Sequence, residues 1–166
     1  MIFLNLRELN QNHIEEIWEI NEQGLPGTGK VSKDEISRLL DYSDLAFGAF
    51  LSSRLIGFVI CLPPKTEYGS LNYAWFNDRY SDFLYVDRIA VSKSHQNKGV
   101  GSLIYSEVIQ RALELKVPVT AEVNLSPPNP GSVRFHLRHG FKQVDVYDSG
   151  EKKVAMMVYD HVKSIV

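Results

Sequence analysis

Two glycines, Gly99 and Gly101, are the first residues in this 166-residue sequence that suggest chemistry, because they follow a polar turn between a hydrophobic run and a helical pattern. The run, residues 83–91, is rich in β-branched and aromatic residues and predicts a strand buried on both faces. Glycine has no Cβ, so a ligand oxygen can approach the main chain closely. A strand, a glycine turn and a helix start together present N–H groups to an anion, which predicts a phosphate or pyrophosphate site. The alternative is a tight connection that binds nothing.

A helical pattern follows these glycines from Ser102 to Lys116. Apolar residues recur there at helical spacing, while most polar residues fall on the opposite side, which indicates a helix packed on a core. Pro118 ends the pattern because proline cannot continue a helix. The apolar residues are Leu103, Ile104, Val108, Ala112 and Leu115.

Asp87 is the candidate for proton transfer or cation binding, because it lies inside the apolar run that precedes the turn. An unpaired charge is expensive to bury, so this carboxylate needs either a function or a partner. The structural alternative is an ion pair with Arg88. Adjacent residues of a strand point to opposite faces, so we expect that pair only where the strand bulges.

Two segments, in order, resemble the signatures of the GNAT superfamily of acyl-CoA-dependent N-acetyltransferases. Residues 96–101, Gln-Asn-Lys-Gly-Val-Gly, resemble the first signature, Gln/Arg-x-x-Gly-x-Gly/Ala. Residues 129–141, Asn-Pro-Gly-Ser-Val-Arg-Phe-His-Leu-Arg-His-Gly-Phe, are similar to the second. Val-Asp-Arg-Ile-Ala-Val, residues 86–91, looks like the central strand of that family. The resemblance covers about residues 80–147.

The resemblance implies that acetyl-CoA is the co-substrate and is bound mainly by main-chain groups. Backbone groups of the strand would pair with the pantetheine arm, N–H groups of the turn would hold the pyrophosphate, and two residues of the second signature would contact pantetheine. The implied cofactor-binding residues are Ile89, Ala90, Val91, Gln96, Asn97, Lys98, Gly99, Val100, Gly101, Ser102, Asn129 and Phe135.

Three cations lie in or near these segments. Lys98 adds a positive charge close to the implied phosphates. Arg134 and Arg138 are four residues apart on one helical face, and they either reach the ribose phosphate or are solvated cations.

Acetylation of an amine needs a base, because an alkyl amine has a pKa of about 10.4 and is protonated at neutral pH. The resemblance places Asp87 where several family members carry an acidic residue that acts as the base or holds the amine. His136 stands where the family usually has Tyr, so it either replaces Tyr as the acid or only bonds the sulfur or the substrate. His139 is interpreted as a surface or structural residue. Tyr85 and Tyr105 are alternative hydroxyl groups.

The composition is that of an ordinary soluble domain, with 44% hydrophobic and 23% charged residues and a net charge of −2. One domain over residues 1–166 is therefore predicted, and nucleic acid and anionic membranes are not favoured as partners. The sequence shows no apolar signal segment and no membrane span, so we expect a cytoplasmic protein. Cys61, the single cysteine, fits a reducing compartment. We interpret it as a buried apolar residue and expect direct transfer, with no acetyl-enzyme and no metal.

The segment Gly24–Lys30 has the spacing of a phosphate-binding Gly-x-x-x-x-Gly-Lys loop. Val31 stands where that loop needs Ser or Thr to bind magnesium, and the segment follows a predicted helix rather than a strand. We therefore expect a flexible loop between helices at the edge of a substrate pocket. Ser32 and Glu35 predict a capping box for the next helix.

The long connection 63–82 is rich in aromatic residues and has no predicted helix or strand of its own. A connection of this length is usually functional or disordered, and its aromatic content argues against disorder. Its rings either line the substrate site or cover the sheet. The predicted substrate-binding residues are Tyr73, Trp75, Phe76 and Tyr85.

Strands and helices alternate in the middle of the chain and hairpins flank them, which predicts a mixed α/β sheet covered by helices. Predicted strands are residues 2–7, 45–51, 55–62, 83–91, 119–123, 141–147 and 153–159, and predicted helices are residues 10–21, 32–40, 102–116 and 129–140. The resemblance implies a GNAT-like, mostly antiparallel sheet of about seven strands, splayed between the fourth and fifth, with about four helices.

The predicted function is transfer of acetyl from acetyl-CoA directly to a primary amine of a small molecule or peptide. A non-catalytic acyl-CoA-binding or sensor domain on the same fold is the alternative, and a P-loop nucleotide binder is a third. The amine acceptor, the acyl-chain preference and the oligomeric state, with a homodimer as one option, stay open.

Overall fold

Seven strands, five α-helices and two short 3-10 helices lie within residues 4–161, the part of the chain described by the computed structural model. The strands are β1 (Leu4–Glu8), β2 (Leu45–Leu51), β3 (Arg54–Leu62), β4 (Leu84–Val91), β5 (Val119–Ser126), β6 (Lys142–Asp148) and β7 (Lys153–Tyr159). The α-helices are α1 (Ile14–Gln23), α2 (Lys33–Tyr42), α3 (Leu71–Arg79), α4 (Val100–Leu115) and α5 (Pro130–Arg138). The predicted mixed α/β fold is confirmed, with α3 as the helix that the prediction lacked.

All seven strands belong to one sheet, in the order β1-β2-β3-β4-β5-β7-β6. The β1–β2, β2–β3, β5–β7 and β6–β7 pairs are antiparallel, so the predicted mostly antiparallel sheet is confirmed. β4 and β5 are parallel and pair through Leu84 with Val119 and Tyr85 with Thr120. The predicted splay between these two strands stays a prediction.

The described residues fall into two units, and the single domain predicted for the chain stays a prediction. Unit 1 contains residues 4–62 and 86–107. Its β2–β3 hairpin turns at Ser52, where φ is 58°. Helices α1 and α2 bury apolar residues, among them Ile17 and Ile36, which are fully buried. The capping box of α2 is confirmed: Oγ of Ser32 accepts from the N–H of Glu35, whose carboxylate accepts from the N–H of Ser32.

Unit 2 contains residues 63–85 and 108–161. The predicted β6–β7 hairpin is confirmed, and it turns at Gly150, whose φ of 94° favours glycine. Asn129 caps α5 as predicted, because its Oδ1 accepts from the N–H of Ser132 at 3.4 Å. Gly140, with φ of 91°, follows the end of this helix.

The connection 63–82 is the main correction to the predicted elements, because it contains α3. Oγ of Ser70 accepts from the N–H of Tyr73 and caps this helix. Tyr73 and Phe76, three residues apart, are buried on the same side of the helix. The apolar stripe is short and lies among Asn, Asp and Arg residues, so the helical spacing was not recognised.

Other boundaries differ by a few residues. β5 continues to Ser126, beyond the predicted end at Val123, and α4 begins at Val100 rather than Ser102. Residues 2 and 3 of the predicted first strand lie outside the described residues. None of the helices between residues 4 and 161 combines the length and apolar character needed to cross a membrane.

Candidate functional site

The glycine turn connects the end of β4 to the start of α4 in unit 1. Gly99 has a φ of 85°, and a Cβ built on it would meet no atom within 4 Å. Its carbonyl accepts from the N–H of Leu103 at 3.0 Å and so begins the helix. The N–H groups from Val100 to Ser102 therefore have no acceptor inside the helix. Gln96–Gly99 are exposed, and the turn can accept an anion as the sequence indicates.

Alternate residues of β4 near this turn are partly exposed in unit 1. Ile89 and Val91 are half-buried, whereas Ala90 is buried. Asp87 is also half-buried as a whole residue, although its side chain is only 3% exposed. Most of its exposed surface therefore belongs to the main chain. Such a strand can form backbone hydrogen bonds with an extended ligand, as the resemblance implies for pantetheine.

Asp87 forms an ion pair with Arg88, in which Nε of Arg88 lies 2.7 Å from Oδ2 of Asp87. Our expectation that these neighbours pair only where the strand bulges relied on the direction of the Cβ atoms, and it neglected the length of arginine. Nε is separated from Cα by three methylene groups, so the side chain can fold back toward its neighbour. Both side chains are buried, with Arg88 8% exposed.

Arg88 makes further contacts that the sequence analysis did not foresee. Nη1 donates to Oδ1 of Asn21 at 3.1 Å and to the carbonyl of Gly29 at 2.9 Å. Asn21 is fully buried, and its Nδ2 donates to the same Gly29 carbonyl at 3.0 Å. A signal was available, because an arginine inside an apolar strand needs hydrogen-bond acceptors.

Glu122 in β5 is a second half-buried carboxylate, and sequence reasoning missed it. The Tyr85 hydroxyl donates to Oε1 of Glu122 at 2.7 Å, and Nδ2 of Asn72 donates to the same oxygen at 3.3 Å. All three residues belong to unit 2. The sequence feature that could have identified Glu122 is the one used for Asp87, namely a carboxylate within an apolar strand.

The aromatic residues predicted to bind substrate are mostly buried. Tyr73, Phe76 and Tyr85 are at most 1% exposed, and the Tyr85 ring centroid lies 5.2 Å from that of Tyr73 and 5.9 Å from that of Phe76. The Tyr73 hydroxyl donates to the carbonyl of Pro63 at 2.5 Å. Trp75 packs under the guanidinium of Arg79, 4.0 Å from the ring centroid. This burial favours the role of covering the sheet, and substrate contact stays a prediction.

His136 lies in α5 and is 4% exposed. Its Nδ1 is 2.8 Å from the carbonyl of Ser132, and a carbonyl can only accept, so Nδ1 carries the proton. Burial lowers the pKa of His136, with the nearby His139 acting in the same direction, while the bond to Ser132 raises it. The neutral ring with Nδ1–H is therefore favoured, and in this tautomer Nε2 is an acceptor.

Other residues of the second signature are more exposed. Phe135 is half-buried and Arg134 and Arg138 are exposed, with the guanidinium of Arg138 5.7 Å from the Phe135 ring centroid. Nδ1 of His139 donates to the Phe135 carbonyl at 2.8 Å, which fits its interpretation as a structural residue. Asn129 is used as the helix cap. Contact of these residues with a cofactor stays a prediction.

Cys61 is fully buried in β3. Burial raises the pKa of its thiol, and the charges of Asp87 and Asp44 raise it further. A thiol that stays protonated at neutral pH is a poor nucleophile, so these facts fit an inert buried residue. Within residues 4–161, no three His, Cys, Asp or Glu side chains come together in a group that could hold a metal ion.

The loop that resembles a phosphate-binding loop ends at a groove of about 620 Å³ in unit 1. Lys30 and Val31 are among the lining residues, so the segment does border a cavity. The lining residues are Trp18, Glu22, Lys30, Val31, Ser32, Lys33 and Glu35. Lys33 also pairs with Glu15 at 2.6 Å, across α1 and α2.

Comparison with known proteins gives a family match and many similar folds. The model of the acetyltransferase (GNAT) family matches residues 11–141. No curated protein sequence shows significant similarity to the chain.

Solved structures of several acetyltransferases have a similar fold. The ribosomal-protein-S18-alanine N-acetyltransferase from Escherichia coli is 15% identical, with a TM-score of 0.73 over 95% of this chain and 93% of that one. Ard1 from Thermoplasma volcanium is 18% identical, with a TM-score of 0.75 over 93% and 95%. NAA60 from Arabidopsis thaliana, solved with acetyl-CoA, is 18% identical, with a TM-score of 0.74 over 95% and 99%. At these identities the likeness concerns the fold.

Proposed function

Because this chain belongs to the acetyltransferase (GNAT) family and is therefore an acyl-CoA-dependent acetyltransferase with acetyl-CoA as its co-substrate, we propose that it acetylates a primary amine of a small molecule or peptide. The observation that carries the proposal is the turn at Gly99, with its positive φ, its exposed residues and the N–H groups of the first turn of α4. The main-chain groups from Gln96 to Ser102 would hold the pyrophosphate. The backbone of Ile89–Val91 would pair with the pantetheine arm.

In the proposed reaction, the amine nitrogen attacks the thioester carbonyl carbon, a C–N bond forms and the C–S bond breaks. The proton lost by the amine goes to a base, and the thiolate takes up a proton as it leaves. Burial of Cys61 supports direct transfer with no acetyl-enzyme. The protein then has two tasks, to remove a proton from an ammonium group and to stabilise the developing oxyanion.

Two carboxylates are candidates for the proton acceptor, one in each unit. Asp87 lies in β4, and its charge is matched by Arg88. Glu122 is supported by its contacts within unit 2, where Tyr85 and Asn72 both donate to Oε1 and orient the carboxylate. Parallel variants of the two carboxylates separate the candidates by the pH dependence of turnover.

His136 has a proposed role as a hydrogen-bonding group, because its lowered pKa disfavours a resting imidazolium that could act as the acid. In that role His136 would bond the sulfur or the substrate. Protonation of the thiolate by His136 stays the alternative prediction. Cytoplasmic location belongs to the same proposal, since one buried cysteine fits a reducing compartment. A homodimer stays a prediction.

The test is release of free CoA from acetyl-CoA in the presence of a panel of amines. The panel includes small primary amines, free amino acids, peptides with a free N-terminus and the same peptides with that terminus already acetylated. We expect at least one free amine to increase CoA release, with an acetylated product of the matching mass, while its blocked form does not. Tight binding of acetyl-CoA without acetylation of any class of amine would instead support the non-catalytic sensor.

A further inference from the structure

The guanidinium of Arg88 joins two segments of unit 1 that are far apart in the sequence. Nε contacts the carboxylate of Asp87 in the same strand, and Nη1 donates to Oδ1 of Asn21 in α1 and to the carbonyl of Gly29 in the loop that follows α1. Nη1 carries two hydrogens, so it can make both of these bonds at once. A buried cation thus connects β4 with the loop between α1 and α2.

The loop between α1 and α2, residues 24–32, is also held by hydrogen bonds to α1. Its main contacts converge on the buried Asn21, whose Nδ2 donates to the Gly29 carbonyl and whose carbonyl accepts from Oγ1 of Thr28 at 3.2 Å. Inside the loop, the N–H of Thr28 donates to the carbonyl of Gly24 at 3.2 Å. Gly29 directs its carbonyl toward Arg88, whereas a phosphate-binding loop would present N–H groups.

We propose that Arg88 is a positioning residue that makes the order of loop 24–32 depend on the carboxylate of Asp87. The ion pair with Asp87 stabilises the buried guanidinium, and its loss would favour movement of Arg88 toward water and away from Asn21 and Gly29. Among the hydrogen bonds and ion pairs of the described residues, Asp87 reaches the loop only through Arg88. The inference deepens the proposed function because Asp87 is a candidate base there, but the coupling is a property of the fold.

Arginine is needed at this position because of its shape as well as its charge. The planar guanidinium has donors in a fixed fork, so a single group reaches the carboxylate, the amide oxygen and the carbonyl together. Lysine would keep the charge beside Asp87 but would offer a single ammonium group. Arg88→Lys is therefore expected to keep the ion pair while it releases the loop.

The test is hydrogen exchange measured by mass spectrometry on the full chain, without any ligand. We expect peptides that cover residues 24–32 to exchange about tenfold faster in Asp87→Ala and in Arg88→Lys, because loss of a charge-assisted hydrogen bond corresponds to roughly that factor. Exchange in β2 and β3 is expected to change much less. Arg111→Met, which removes an exposed arginine that pairs with Glu114, is the matched control.

A double variant separates coupling from general loosening of the unit. If Arg88 carries the effect, Asp87→Ala adds nothing to loop exchange in the Arg88→Lys background. The proposal would be overturned if the loop exchanged no faster in Asp87→Ala than in the Arg111→Met control. It would also be overturned if the rate increase in the double variant equalled the product of the increases in the two single variants. If Asp87→Ala does not fold, Asp87→Asn is measured in its place against the same criterion. Neither outcome depends on acetylation, so failure here leaves the proposed function standing.

Discussion

The hydroxyl group of Tyr85 donates a hydrogen bond of 2.7 Å to Oε1 of Glu122. Tyr85 is fully buried and its ring packs against Tyr73 and Phe76, so the hydroxyl has little freedom to choose another position. The bond therefore orients one oxygen of a carboxylate that lies within an apolar strand. The contribution of this hydrogen bond to stability and the contribution of Glu122 to turnover can be measured separately.

Tyr85→Phe is expected to lower the free energy of unfolding by about 1–2 kcal/mol, because it removes a hydrogen bond to a carboxylate and leaves the packing intact. Urea unfolding monitored by fluorescence measures the loss. Tyr147→Phe is the matched control, since Tyr147 lies half-buried in β6. Equal stability of the two variants would show that the Tyr85 hydroxyl contributes nothing to the fold.

Asp87→Asn and Glu122→Gln distinguish the two candidate bases through the pH dependence of turnover. The variant that lacks the base is expected to lose activity at neutral pH and to recover part of it as the pH rises toward the pKa of the free amine, where the substrate deprotonates by itself. The other variant should keep the shape of the wild-type profile. Unchanged profiles in both variants would exclude both carboxylates as the base.

The lowered pKa of His136 predicts how stability depends on pH. Burial keeps the ring neutral in the folded protein, while in the unfolded chain it titrates at about 6.5, so below that pH the unfolded state binds more protons. This group therefore adds nothing to the pH dependence well above pH 6.5, and it destabilises the fold as the pH falls from there toward the lowered pKa.

Urea unfolding at pH 7.5 and pH 5.5 tests this sign. Wild-type protein is expected to lose more stability between the two pH values than His136→Gln, whose amide can still donate to the Ser132 carbonyl but does not titrate. His13→Gln, at a partly exposed position, serves as the control. An identical loss in wild type and His136→Gln would contradict the buried neutral imidazole.

Most secondary structure could be predicted, because each element has a local signal. The capping pair Ser32 and Glu35, the cap at Asn129 and the glycine at position 150 each act within a few residues, and the structure has all three as predicted. Helix α3 was missed because its buried face is short and its exposed face carries a mixture of residue types.

The side-chain networks could not be predicted from sequence, for a different reason. Arg88 and Gly29 are 59 residues apart, and Tyr85 and Glu122 are 37 apart, so only the folded chain brings them together. The Asp87–Arg88 pair was misjudged although its members are neighbours, because a rule about Cβ directions does not limit a long side chain. The sequence indicated that these charges needed partners without identifying them.

Gly99 and Gly150 are a matched pair of positions for testing the proposal that the turn at Gly99 binds the cofactor. Both have φ near 90°, both are exposed, and a Cβ built on either would meet no atom within 4 Å. A glutamate at either position thus brings the same backbone strain and the same charge. Only Gly99 precedes the helix start that is proposed to hold the pyrophosphate.

The most direct measurement is calorimetric titration of acetyl-CoA into the wild type, Gly99→Glu and Gly150→Glu. We expect wild type and Gly150→Glu to bind with similar affinity and Gly99→Glu to lose binding, because its carboxylate would repel the phosphates and its side chain would fill the turn. Equal binding by all three proteins would contradict the assignment of this turn to the cofactor.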